Sequence, residues 1–463
     1  MTERVSVGFT GGRGGVCGLS WGQIAIWRAI QRLVPDDASL NMSWVTALED
    51  EGVSFGTPLA RITDTVASVM ARHESLRTRV RVDDVHGPQQ LLARDGTIEV
   101  EVVDATRETA AAAAKELQRR LTEPAFDYAG EWPLRVGAVR VDGEDVVTHA
   151  VFAICHLVTD RGGLTALVRD VLAALAGRPT TDPPDRQPYE QALHQASEAG
   201  RRQSDKALRY WARHLAAVPR DRFGTPDGPP RFVSVTLSSP AGDRAVSVLA
   251  EREQVSSSAV ILAAAAWQLA RQTGARESVL QVIVSNRFRP GLADSVGPAS
   301  QDGLCVVEVG DDGFGPVIGR AMRASMQAYL HAQYDPVALD TLLADLGDVD
   351  LSCSFNDRRF DAQTPVSAAA GVTADGIRAA LPHTTVSREP VDHYGARYFL
   401  HVNAVPGTLD LTLFADTSVF DETKVEEHLR GIERLVVAEA LRVLDATDTG
   451  SADTEPAAAE APV

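Results

Sequence analysis

Residues 145–171 read DVVTHAVFAICHLVTDRGGLTALVRDV. Val146 to Ile154 is mostly apolar, β-branched or aromatic, the composition of a buried strand. Leu164, Leu167, Val168, Val171 and Leu172 recur at helical spacing and predict a helix over Gly163–Ala174. Between them lie Cys155, His156, Leu157, Val158, Thr159, Asp160, Arg161, Gly162 and Gly163. A histidine leaving a buried strand, with an aspartate four residues on, suits acid–base chemistry. The alternative is that His156 is a hydrogen-bonded core histidine and Asp160 only shapes the turn; this stretch alone leaves both open. Adjacent strand residues point to opposite faces, so a Cys155–His156 dyad is not expected. Cys155 reads as a small, inert packing residue beside a cleft-facing His156.

The totals bound the rest. The chain has 463 residues, enough for two to four domains and a large core. Its 44% hydrophobic and 23% charged residues are those of a soluble globular protein. The net charge of −18 argues against nucleic acid or an anionic membrane as partner. It also gives no long-range attraction to an acidic partner. Local docking would need a basic patch, for which Arg201, Arg202, Lys206, Arg209, Arg213 and His214 are candidates, although a charge run is commonly a solvated helix face. Cys17, Cys155, Cys305 and Cys353 form no C-x-x-C pair, so neither zinc site nor disulfide framework is expected. The absence of a long apolar run or signal-peptide core predicts a cytoplasmic protein.

In chain order, the glycine-rich Gly11–Gly18 lacks the G-K-[ST] ending of a phosphate loop and reads, within residues 1–19, as a flexible N-terminus. Ser20 is the expected N-cap of a helix over Trp21–Leu33 carrying Gln23 and Trp27. A second helix is expected over Pro58–Met70, with Thr57 as N-cap and Pro58 at its first position. Val136–Val141 and Val146–Ile154 predict a hairpin turning at Asp142-Gly143. Pro183–Pro188 is the best linker, followed by a helix over Tyr189–Leu215. Val279–Ser285 is an apolar strand leading into Asn286-Arg287. Asp361–Gly376 reads as a loop of small residues. Tyr398–Val405 and Leu409–Ala415 predict a hairpin across Pro406-Gly407. Asp421 caps a last helix with Val425, Leu429, Ile432 and Val436 on one face. From Asp448 the composition is that of a disordered tail.

Five stretches together resemble the condensation domains of nonribosomal peptide synthetases, part of an acyltransferase superfamily with chloramphenicol and carnitine acyltransferases. Arg72-His73-Glu74-Ser75-Leu76-Arg77-Thr78 is similar to the family's Arg-His-Glu-x-Leu-Arg-Thr motif at every position. Ser20-Trp21-Gly22-Gln23 with Trp27 resembles its Ser-x-x-Gln-x-x-x-Trp helix. Cys155-His156-Leu157-Val158-Thr159-Asp160-Arg161 resembles His-His-x-x-x-Asp-Gly, with Cys155 for the first histidine and Arg161 for the glycine. Asn286-Arg287 and Val296-Gly297-Pro298 match a later motif, whose Phe-Val-Asn-Thr run is replaced by Ala299-Ser300-Gln301-Asp302. Asn356 resembles the start of a Phe-Asn-x-Gln segment, with Arg358 for glutamine.

The resemblance spans Ser20 to about Leu444. It implies an α/β (α+β) fold of two chloramphenicol-acetyltransferase-like lobes, residues 20–182 and 183–447, as a pseudo-dimeric V with a central cleft or tunnel, then a disordered tail over 448–463. It implies that His156 is catalytic and that Asp160 has a structural salt bridge to Arg287. Arg77, with Arg72 and Glu74, would hold a helix-to-strand turn, making His73 a poor catalytic candidate. The N–H after the aspartate, now Arg161, would lie near the substrate carbonyl, or the turn has shifted to Gly162 and Gly163. No adenylation or carrier domain is attached, so a free-standing member is expected. No bound cofactor or metal is expected. The donor would be a phosphopantetheine thioester on an acyl or peptidyl carrier protein, or coenzyme A; the acceptor would be a small-molecule amine or alcohol. A coenzyme A-dependent acetyltransferase would share the histidine but need no carrier. The altered signature also leaves open a non-catalytic module that binds a carrier or recruits a tailoring enzyme.

Overall fold

In a computed structural model that describes residues 2–49, 56–85, 87–180, 182–218, 222–223, 228–347, 349–359, 369–391 and 396–452, the chain forms two compact units. One comprises Met1–Lys206, Ser285–Gln301 and Gln333–Leu339; the other comprises Ala207–Val284, Asp302–Ala332 and Asp340–Val463. The elements up to the middle of the chain are β1 (Thr2–Thr10), β2 (Gly15–Gly18), α1 (Trp21–Leu33), β3 (Met42–Ala47), α2 (Leu59–Arg72), β4 (Thr78–Asp83), β5 (Gly87–Leu92), β6 (Asp95–Ala105), α3 (Ala110–Thr122), β7 (Leu134–Val141), β8 (Val147–Ile154), α4 (Arg161–Leu175), α5 (Pro188–Ala196) and α6 (Glu198–Leu215). There follow β9 (Phe232–Ser239), α7 (Pro240–Glu253), α8 (Ser257–Thr273), β10 (Glu277–Val284), β11 (Gln301–Glu308), α9 (Gly315–Leu330), α10 (Pro336–Leu346), β12 (Cys353–Asp357), α11 (Ala374–Ala380), β13 (Thr385–Val391), β14 (Tyr398–Asn403), β15 (Leu409–Asp416) and α12 (Glu422–Ala452).

The first unit is built on a five-stranded sheet in the order β1-β6-β7-β8-β3. Only β6 and β7 run parallel in it. Strand β8 is apolar at successive positions because both its faces are covered. Ala150, Phe152 and Ile154 pack with Val66 and Met70 of α2 and Leu167 of α4. Val151 and Ala153 pack with Ala114 and Leu117 of α3. The β7–β8 connection turns at Gly143, whose φ of +75° suits glycine. A smaller sheet, β2-β5-β4, completes this unit.

The second unit has a seven-stranded sheet, β11-β10-β12-β14-β15-β9-β13. Tyr398, Leu400 and Val402 of β14 and Leu411 and Leu413 of β15 face a core shared with Val260 and Ala264 of α8 and Leu429 and Ile432 of α12. Among the described residues no helix is long and apolar enough to cross a membrane.

Several expectations need correction. Residues 1–19 are not a flexible lead-in: β1 pairs with β6 from Thr2↔Val103 to Thr10↔Asp95, and β2 pairs with β5. Val7 and Phe9 are buried on one face of β1, an alternation that the neighbouring glycines and charges conceal in the sequence. Pro58 is the N-cap of α2 rather than its first residue. The Leu59 N–H donates to Asp145 Oδ1 at 3.1 Å, a cap from a distant loop that local spacing does not reveal. The helix expected over Tyr189–Leu215 breaks at Ser197, whose Oγ accepts from Gly200 N at 3.3 Å. The expected loop over Asp361–Gly376 ends in α11, begun by the Thr373 side-chain cap; part of it lies outside the described residues. The tail expected from Asp448 does not begin there, since α12 continues to Ala452; residues 453–463 lie outside the described residues.

Candidate active site

Strand β8 ends at Ile154, and residues His156–Val158 form one 3-10 turn before Asp160 caps α4. Cys155 continues the alternation to the side away from Ile154. It is buried with Leu19, Ile30, Val80, Phe126 and Leu157, and its Sγ accepts from Leu157 N at 3.3 Å. Burial pushes its thiol up to about 12, far from the thiolate a nucleophile requires.

His156 is half-buried. Its Nδ1 lies 2.8 Å from the Thr159 carbonyl oxygen. A carbonyl can only accept, so Nδ1 carries the proton of the neutral ring and Nε2 presents its lone pair. Nε2 has no hydrogen-bond partner among the described residues. The ring is therefore fixed in orientation and tautomer, with its basic nitrogen available.

Asp160 closes the loop. Its Oδ1 accepts from Gly163 N at 2.8 Å and from the Arg287 guanidinium. Its Oδ2 accepts from Ala299 N at 2.9 Å, Ser300 N at 2.9 Å and Ser300 Oγ at 2.8 Å. Burial pushes the carboxyl up, but the Arg287 charge and the hydrogen bonds outweigh it and hold it below the usual carboxylate range. With five donors on two oxygens, Asp160 has no lone pair directed at a reacting group.

Arg287 is placed by Asn286, which adopts φ +57° after β10, a conformation that asparagine tolerates better than most residues. Its two terminal nitrogens also donate to the carbonyls of Leu292 (3.0 Å), Ser295 (2.7 Å) and Gly297 (2.9 Å). A Cβ at Gly162 would stand 2.2 Å from Arg287 Nε, and one at Gly163 would stand 2.4 Å from Thr159 Oγ1. Both glycines thus make room for this clamp. The Gly163 N–H is held by Asp160, so a backbone donor to a substrate oxygen on this turn would be the N–H of Arg161 or Gly162. The Arg161 side chain is exposed at the first position of α4 and has no partner among the described residues.

The Arg72–Thr78 motif makes internal contacts. His73 and Arg72 both meet Asp170 Oδ2, at 2.9 and 2.8 Å. Burial lowers the His73 pKa. Arg77 is buried and donates to the carbonyls of Arg13 (2.6 Å) and Ala93, while Glu74 binds Arg13 at 2.7 Å. Burial lowers the Arg77 pKa. Of the remaining histidines, His149 meets Thr148 Oγ1 at 2.9 Å, His383 is exposed, and His393 lies outside the described residues. Among the described residues no group of three His, Cys, Asp or Glu side chains is arranged to hold a metal ion.

Sequence reading missed Ala299 and Ser300 as partners of Asp160. They occupy the run that looked eroded, yet successive N–H groups and a hydroxyl are a suitable cradle for a carboxylate.

The family model described as "Condensation domain" matches residues 28–447. The chain belongs to the condensation-domain family. This condensation domain is 25% identical over 462 residues to the probable non-canonical nonribosomal peptide synthetase CymA of Salinispora arenicola (strain CNS-205), covering 93% of this chain and 6% of that protein. It is 26% identical over 255 residues to the cyclosporin synthetase simA of Tolypocladium inflatum, covering 52% of this chain and 2% of that one. The chain thus spans a small fraction of the curated relatives it matches. Among solved structures, the condensation domain of chain release from the enacyloxin polyketide synthase has a TM-score of 0.68 at 19% identity, covering 98% of this chain and 86% of that one. The X-domain from teicoplanin biosynthesis has a TM-score of 0.64 at 18% identity, covering 93% and 96%. These likenesses establish the chloramphenicol-acetyltransferase-like α/β fold.

Proposed function

We propose that this condensation domain transfers an acyl or aminoacyl group from a carrier-protein phosphopantetheine thioester to an amine or alcohol. The observation that carries this reading is His156: Nδ1–H tied to Thr159 O, Nε2 open, and its loop clamped by the Asp160–Arg287 pair. As the acceptor attacks the thioester carbonyl, Nε2 takes the proton it loses. A C–N or C–O bond forms, the C–S bond breaks, and the proton passes from the imidazolium to the departing thiolate. A tetrahedral oxyanion would accept from the N–H groups at the start of α4. Asp160 and Arg287 take no chemical part; they fix the loop.

The second reading is a module without turnover that binds a carrier or recruits a tailoring enzyme. Arg161, a bulky cation where the family has glycine, favours it, and the similar X-domain from teicoplanin biosynthesis has been solved in a complex with OxyB. Intact-mass analysis of an acyl-loaded carrier protein incubated with amines and alcohols separates the two. Loss of the acyl group matched by a new amide or ester, absent with His156→Ala, supports transfer. Stable association without transfer supports the second reading.

A further inference from the structure

We infer that Gly22 is a positioning residue for transfer: through the Pro298–Ala299 peptide, the first turn of α1 sets the Asp160 carboxylate and with it the His156 loop. This rests on the transferase reading above. All the residues concerned lie in the first unit. Glycine is among the poorest helix formers, yet Gly22 is the second residue of α1 and is buried there. A Cβ at this position would stand 1.9 Å from the Pro298 carbonyl oxygen and 2.8 Å from the carbonyl carbon. Non-bonded heavy atoms settle about 3.5–4.0 Å apart. The helix and the carbonyl thus approach more closely than any side chain at residue 22 permits.

That carbonyl and the Ala299 N–H belong to one peptide unit, which is planar and rigid. In its trans form the two groups point in opposite directions. The carbonyl faces Gly22, and the N–H donates to Asp160 Oδ2 at 2.9 Å. Ser300 adds its N–H and its hydroxyl to the same oxygen. A displacement of the carbonyl therefore moves the N–H, and Asp160 caps the helix that follows His156. Neither side has slack. Ser20 and Gln23 close a capping box around the first turn of α1, and Gln195 Oε1 of α5 accepts from Trp21 N at 2.8 Å. Opposite, Asn286 Nδ2 donates to the Ala299 carbonyl at 3.0 Å. Gly297 abuts Pro188 of α5, whose Cγ would lie 2.5 Å from an added Cβ.

The test compares Gly22→Ala with Gly319→Ala in the full chain. Gly319 lies in α9, where a Cβ meets only the end of Arg323 at 3.5 Å. Alanine favours the helix at both positions, so a loss confined to Gly22→Ala reports the carbonyl contact. Deuterium uptake needs no chemistry: the Ala299 and Ser300 amides are expected to exchange about tenfold faster in Gly22→Ala and unchanged in Gly319→Ala. In the carrier mass assay run as a time course, kcat is expected to fall about tenfold or more with KM for the loaded carrier unchanged, the mark of an interaction made only in the transition state. Ser300→Ala, which thins the same cradle, should not add its full effect to that of Gly22→Ala. If Gly22→Ala loses its fold by circular dichroism, Gln195→Ala replaces it: it frees the Trp21 N–H, lets the same turn shift, and should speed exchange at the same two amides. Wild-type exchange at Ala299 and Ser300 overturns the relay. So does faster exchange spread evenly over the first unit, which marks a packing defect without direction. Local loosening with unchanged kcat removes Gly22 as a positioning residue. No transfer by the wild type overturns the transferase reading, and the exchange data still decide whether Gly22 holds Asp160.

Discussion

Arg287 Nε occupies the space beside Gly162 in which a side chain would begin, 2.2 Å from an added Cβ. The guanidinium is held at the same time by Asp160 and three carbonyls, so it has no easy direction of retreat. Gly162→Ala is therefore expected to cost about 1–3 kcal/mol by overpacking and to lower activity by moving the His156 loop. Gly12→Ala, where a Cβ meets nothing within 4 Å, is the control. Denaturant unfolding of the two variants checks the difference; equal stability would mean that Arg287 yields freely.

Asp160→Asn should be costlier. The amide removes the charge opposite Arg287 and presents an NH2 where at least one donor now points. Loss of one partner of a buried pair costs about 3–5 kcal/mol. The same residue sets an acid limit. Its carboxyl is held below the usual range in the fold, so its contribution is complete above the unfolded value of about 3.9 and is lost as pH falls through the lower folded value. Unfolding free energy measured from neutral pH to below pH 4 should decline less steeply in Asp160→Asn than in wild type.

What the sequence disclosed and what it concealed divide by the range of the interaction. His156, Asp160 and α4 lie in one stretch with strand and helix periodicity on either side. The Arg287 pairing came only from resemblance. The Ala299 and Ser300 contacts to Asp160 join residues 139 and 140 positions apart, and a backbone donor leaves no mark on residue choice. Strand β1 escaped for another reason: its inward residues are separated by polar ones and followed by glycines, so composition outweighed alternation. The break at Ser197 depends on a single side-chain cap within an otherwise helical pattern.

Acid should also strain the second unit through His428. Its Nε2 meets Tyr398 Oη at 3.0 Å and its Nδ1 meets Gln272 Oε1 at 3.2 Å, and burial pushes its pKa down to about 4. The unfolded chain binds this proton from about pH 6.5, the fold only near pH 4, so stability falls between those values as pH drops. The size is about 2–4 kcal/mol. His428→Gln, which cannot titrate, should flatten that window; an unchanged slope would assign the loss to other groups.

His156→Ala should abolish transfer, at least about 100-fold, while the fold survives, because its only side-chain hydrogen bond among the described residues is to the Thr159 carbonyl. Circular dichroism and the carrier mass assay together check this. Full turnover in the variant would remove His156 as the base.

Arg161→Gly separates the transferase from the silent module. The side chain is exposed and its removal breaks no bond among the described residues, so the stability change should stay below about 1 kcal/mol, the cost of one more glycine at a helix start. If Arg161 only crowds the turn after His156, the glycine restores the family pattern and transfer is retained or raised. A large loss of transfer in a folded variant would show instead that the guanidinium holds a substrate group, and a carboxylate is the group its geometry would favour. Repeating the mass assay with neutral and acidic acceptors distinguishes these: a general gain fits crowding, whereas a loss confined to acidic acceptors fits recognition.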